Sequence, residues 1–206
     1  MSQQLIYKRN DVHPLRDSLT RALSLPQFAL SIEEEKDRSD ALGLPFVLYL
    51  VDIDQLRNIN DEFGRRTGDS ILIETAGRIR SLLDDTDFDD VEYLHARFDG
   101  DSFMLLARDC TIKRGTQLAQ AILDVIRGEP YSGGVEVTAT IGVSQYRLGE
   151  PTDEVISRCE KTLYLAKQYG NDHIEVAPTP ENLRESNVVP LPNLAELQRR
   201  RQLTGS

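Results

Sequence analysis

"VEYLHARFDGDSFMLLAR", residues 91–108, reads as two strands folded back on each other. "VEYLHARF" and "SFMLLAR" flank Asp99-Gly100-Asp101, and Asp-Gly is a strong hairpin signal because both residues tolerate the positive φ of a tight turn. A second aspartate follows at once. Asp99 and Asp101 therefore crowd one turn with two carboxylates, which suits either a solvated turn or a metal and phosphate site.

Working outward, "FVLYLVDID" (46–54) is a continuous apolar run ending in two carboxylates, the pattern of a strand buried on both faces. A short helical segment follows through Asn58 and Phe63 and breaks at Gly64. From Asp69 to Leu83 the residues Ile71, Leu72, Ile73, Ala76, Ile79, Leu82 and Leu83 recur at helical spacing, an apolar stripe for a sheet. "DDTDFDD" (84–90) is an acidic loop. Beyond the hairpin, "IKRGTQLAQAILDVIRG" (112–128) is helical, with Gly115 weakening its first turn. "YSGG" turns, and "VEVTATIGVSQY" (135–146) is a β-branched strand. "TDEVISRCEKTLYLAKQYG" (152–170) is an amphipathic helix whose apolar face is Val155, Ile156, Cys159, Leu163 and Ala166, and "HIEVA" (173–177) is a last short strand. Upstream, Asp17 or Ser18 caps a short helix, and "SLPQFALSIEEEKDRSDAL" (24–42) is a longer acidic one ended by Gly43-Leu44-Pro45. This order implies an α/β (α+β) domain with a mixed central sheet, flanking helices and one central hairpin.

Residues 1–16 form a lead-in, 17–177 the domain, and 178–206 a Pro- and Asn-rich linker with a short helical tail, "LAELQRRRQL". The chain has 206 residues and a net charge of −10, which argues against a nucleic-acid surface. No apolar run reaches the ~20 residues of a membrane span, and no secretory signal opens the chain. Cys110 and Cys159 lack metal spacing and read as buried thiols of a reducing compartment, so a cytoplasmic protein is expected. His13, His95 and His173 are scattered singly.

"DIDQLRNINDEFGRRTGD", Asp52 to Asp69, resembles the DxDxFKxxNDxxGHxxGD segment of the GGDEF family, the diguanylate cyclase domains of bacteria. Further stretches are similar in order and distance. "DSLT" (17–20) resembles the DxLT opening, "RFDGDSF" (97–103) the R-[YF]-GGDEF signature, "VTATIGVS" (137–144) the TxSIGVA strand, and "KTLYLAKQYGND" (161–172) the KALYxAKxxGRN helix. The resemblance implies a fold like the palm of nucleotidyl cyclases, with the hairpin carrying the signature. In active members each domain of a dimer holds one GTP, and each 3′-hydroxyl attacks the other's α-phosphate to give cyclic di-GMP. Carried onto this chain, Asp52, the Ile53 carbonyl and Asp101 would hold Mg²⁺. Asn60 and Asp69 would face guanine, Gly100 would line the nucleotide site, and Arg57 and Lys167 would serve the phosphates. Helix capping is the alternative for Asn60 and Asp69.

The signature itself departs from the pattern. Asp99 replaces the first Gly, and a carboxylate roughly 5 Å from a phosphate charge at an effective dielectric of ~20 repels it by about 3 kcal/mol. Ser102 replaces the Glu that would activate the 3′-hydroxyl, help worth ~10²–10⁴ in rate. Asn171 replaces the Arg after the last Gly, Arg65 stands where the family has His, and the product-binding RxxD positions are Asp90 and Tyr93. These changes lead to a degenerate, GTP-binding or regulatory member of cyclic-di-GMP signalling. An active cyclase with a variant signature, working as a homodimer, and a non-catalytic module for a signalling partner are the alternatives.

Overall fold

A computed structural model describes residues 15–84 and 92–179. Ten elements follow in chain order: α1 (Leu25–Leu42), β1 (Val47–Ile53), α2 (Leu56–Phe63), α3 (Arg65–Leu83), β2 (Tyr93–Asp99), β3 (Ser102–Ala107), α4 (Ile112–Arg127), β4 (Ala139–Gln145), α5 (Thr152–Tyr169) and β5 (Ile174–Val176). The five strands form one sheet in the order β2-β3-β1-β4-β5. β1 runs antiparallel to both neighbours, β3 and β4, and β4 pairs in parallel with β5. The mixed sheet with flanking helices expected from the element order is therefore present.

β1 is the sheet's middle strand and every one of its residues is buried. Side chains alternate across a strand, so its two faces feed two cores. Val47, Tyr49, Val51 and Ile53 pack with α3 and α4 through Ile71, Ala76, Ile79, Leu118 and Ile122. Leu48 and Leu50 pack with α1 and α5 through Phe28, Ile32, Val155, Cys159 and Leu163. Two glycines set how closely helices approach the sheet. A Cβ at Gly142 on β4 would fall 2.5 Å from the Leu163 nitrogen and 2.7 Å from the Cys159 carbonyl oxygen of α5. One at Gly115 would meet the Tyr49 hydroxyl at 2.9 Å. Gly115 weakens α4 on propensity, and its place is explained by that contact with β1.

Several sequence expectations shift in detail. Among the described residues no short helix precedes α1: residues 18–20 form a turn, and the Asp17 carboxylate accepts from the Thr20 N–H and hydroxyl, both at 2.7 Å. α3 starts at Arg65 instead of Asp69, because Gly64, at φ 86°, ends α2 and begins α3 in a single residue. Ile73 is 47% exposed and so leaves the α3 stripe. β4 covers only the second half of its apolar run. Cys110 and Cys159 are buried and free, and the apolar face read on α5 is buried throughout. His13, Asp90, most of the acidic loop, most of the lead-in and the tail lie outside the described residues.

Candidate functional site

Asp52 falls on the same face of β1 as Leu48 and Leu50, so its carboxylate emerges toward α5. It is 8% exposed and both its oxygens are engaged. Oδ1 pairs with the Lys167 ammonium of α5, and Oδ2 accepts from the Ser102 hydroxyl at 3.1 Å. Ser102 sits opposite Asp52 in the β1–β3 register, which is why a short hydroxyl reaches it. Burial raises the Asp52 carboxyl above its ordinary range; Lys167 opposes that rise, and the negative charge of Asp101 adds to it. Asp101 is close because the Ile53 N–H donates to its carbonyl at 3.0 Å, joining the end of β1 to the hairpin turn. Asp52, Ile53 and Asp101 thus meet at one end of the sheet. Among the described residues, no three His, Cys, Asp or Glu side chains gather as a metal-holding group.

Asp54, two residues on, is committed elsewhere. It accepts from the Thr138 and Thr140 hydroxyls, each at 2.7 Å, and from the Asp172 N–H at 2.9 Å. These bonds pin the turn after α5, where Asn171 stands, against the end of β1. In sequence Asp54 is simply the second carboxylate closing β1; its donors come from "TAT" (138–140), which sets two hydroxyls on one face of the neighbouring segment.

The hairpin turns where expected, with Gly100 and Asp101 between the paired residues Asp99 and Ser102. The backbone differs in detail: neither Asp99 nor Gly100 adopts positive φ, and the β2–β3 register shifts just before the turn, between Arg97 and Asp99. Asp99 is exposed, and its Oδ1 accepts from the Gly100 N–H at 2.7 Å. Arg97 donates to the Gly100 carbonyl at 2.7 Å and reaches Asp17 at 3.5 Å. Asp99 lines a surface cavity of about 270 Å³ with Asp17, Ser24, Leu25, Arg97, Phe98 and Gly100. Asp52, Asp101 and Lys167 do not line it. The Asp99 carboxylate is therefore tied back to its own turn.

Asn60 lies in the last turn of α2 and Asp69 in the second turn of α3. Neither is a cap: Gly64 fills that position for both helices, with no side-chain cap bond. The Asn60 Oδ1 is buried without a hydrogen-bond partner. It occupies the space that Gly68 leaves, since a Cβ there would lie 1.9 Å from it. Asp69 and Arg57 are exposed, Tyr93 is half-buried on β2, and Arg65 is exposed at the start of α3.

A family model described as "Diguanylate cyclase, GGDEF domain" matches residues 15–173. Diguanylate cyclase DgcP of Pseudomonas aeruginosa is 32% identical over 170 residues, covering 79% of this chain and 24% of that protein. Diguanylate cyclase DgcM of Escherichia coli is 29% identical over 161 residues, 78% of this chain and 38% of that protein. The chain thus spans well under half the length of these relatives. Among solved structures, diguanylate cyclase SiaD of Pseudomonas aeruginosa, in complex with its activator SiaC, superimposes with a TM-score of 0.74 at 28% identity, over 79% of this chain and 62% of that one. The GGDEF domain of DgcB from Caulobacter crescentus shares the fold at a TM-score of 0.73 and 19% identity, over 82% of this chain and 99% of that one.

Proposed function

The chain belongs to the GGDEF family of diguanylate cyclase domains, and from that premise we propose that it binds GTP with Mg²⁺ but does not join two GTP molecules efficiently, acting as a regulatory member of cyclic-di-GMP signalling. The observation that carries the binding half is the partnerless Oδ1 of Asn60. A buried acceptor without a donor costs about 1–3 kcal/mol, and a ligand N–H relieves it. Asp69, when ionised, only accepts, so the pair matches the N1–H and N2–H of guanine and offers adenine no such match.

The donor set fits Mg²⁺. Asp52 and Asp101 bring hard oxygens together at the joined ends of β1 and β3, with the Ile53 carbonyl beside them, and such a cation takes one or two carboxylates and fills its remaining positions with water and phosphate oxygens. When bound, the cation would neutralise and align the polyphosphate. Lys167 and Arg57 supply positive charge to the phosphates, and Gly100 keeps the turn free of a side chain. Catalysis is where the site falls short. Position 102 carries a hydroxyl already committed to Asp52, and a serine takes up no proton near neutral pH. Asn171 offers the phosphates no charge.

Calorimetry with Mg²⁺ tests the binding half. GTP is expected to bind at least roughly tenfold more tightly than ATP, a preference lost in Asn60→Ala and Asp69→Ala; equal or absent binding of both nucleotides would contradict it. One observation favours the alternative of an active cyclase with a variant signature, working as a homodimer: Asp99 is tied back to its own turn, so the substitution there is not itself an obstacle.

A further inference from the structure

We propose that Lys167 is a resident counter-ion that holds Asp52 closed, so that a divalent cation cannot take this carboxylate until the ammonium is drawn away. The inference rests on the reading of Asp52 as the metal's carboxylate and goes beyond it, because it concerns the site before any nucleotide arrives.

Three features carry it. First, both oxygens of Asp52 are occupied, one by the Lys167 ammonium and the other by the Ser102 hydroxyl. Second, the carboxylate is largely shut off from water while the lysine side chain is 36% exposed. The lysine is thus the mobile member of the pair, on a flexible four-carbon stem. Third, no third acidic, histidine or cysteine side chain joins Asp52 and Asp101 among the described residues. A hydrated cation approaching this site finds one carboxylate free and the other neutralised. Mg²⁺ gives up water reluctantly, so such an offer is poor. A polyphosphate changes both sides at once. Its oxygens compete for the ammonium, which swings outward, and they supply the ligands that two carboxylates lack. Cation and polyphosphate therefore enter together, and Ser102 steadies Asp52 in the interval by donating to the oxygen that Lys167 does not hold.

The test uses Mn²⁺ alone, followed by its paramagnetic resonance signal, on the full chain without nucleotide. Wild type is expected to bind Mn²⁺ weakly. Lys167→Met should bind it about tenfold or more tightly, the size of a charge-assisted hydrogen bond released. Lys167→Arg keeps the positive charge and should remain weak, and adding Asp52→Asn to Lys167→Met should abolish the gain. Circular dichroism of each variant confirms that the sheet is intact. Equal affinity in wild type and Lys167→Met, or a gain that survives the loss of Asp52, would overturn the proposal. With no nucleotide in the sample, a failure of GTP to bind in the calorimetry above leaves this result standing.

Discussion

Ser102 reaches Asp52 with its hydroxyl across the β1–β3 register; on the proposed reading this donor stands where the family places an acid. Asp52 and Asp101 were legible as a pair from sequence because one closes an apolar strand and the other sits in the turn of a hairpin that could lie beside it. The partners of Asp54 were harder to read, because Thr138 and Thr140 lie 84 and 86 residues away and "TAT" reads first as part of a strand. His95 is a second residue whose role sequence left blank. Burial chiefly, with the charges of Arg80 and Arg16, lowers its imidazole to about 4, and Asp84 opposes them. The folded chain thus favours neutral His95, whereas the unfolded chain takes up a proton near 6.5. Its stabilising contribution is present above about pH 6.5 and is lost as the pH falls toward 4, up to about 3 kcal/mol. Denaturant titrations between pH 7 and 4.5 should show wild type losing more stability than His95→Gln; parallel losses would contradict this.

Elements were legible where their period was strong. β1, α4 and α5 lie where their apolar patterns placed them, because each buries a complete face or stripe. Boundaries set by backbone geometry were harder to read. The α2–α3 junction turns on one residue, Gly64 at φ 86°, and the tight hairpin turn is preceded by a register shift on β2 that Asp-Gly does not announce. Gly142 is an element-scale requirement that composition alone does not reveal. It lets α5 cross β4 at backbone distance, which in turn fixes how far Lys167 stands from Asp52. Gly142→Ala would place a methyl 2.5 Å from the Leu163 nitrogen, and overpacking of this kind costs about 1–3 kcal/mol. Thermal melts should show that loss, together with weaker GTP binding as α5 shifts; an unchanged melting temperature would mean that the helix yields freely.

Across the molecule, one sheet end gathers four polar groups from distant parts of the chain: Asp52 from β1, Asp101 and Ser102 from the hairpin, and Lys167 from α5. Topology does this, since β1 lies between β3 and β4 and the α5 that follows β4 packs back over it. Sequence motifs in register foretold that gathering and the family. They did not foretell which way Asp99 would turn or that Lys167 would close on Asp52, because both depend on side-chain partners visible only after folding. No helix among the described residues is long and apolar enough to cross a membrane. On the proposed reading the site holds GTP without joining two molecules efficiently. The first check is concentrated protein incubated for hours with Mg²⁺ and GTP, its nucleotides then separated by chromatography. GTP should be left essentially unchanged, at concentrations that favour dimers and beside an Asp52→Ala, Asp101→Ala control. Cyclic di-GMP that accumulates in wild type and vanishes in that control would contradict it and make the protein a working cyclase despite Ser102.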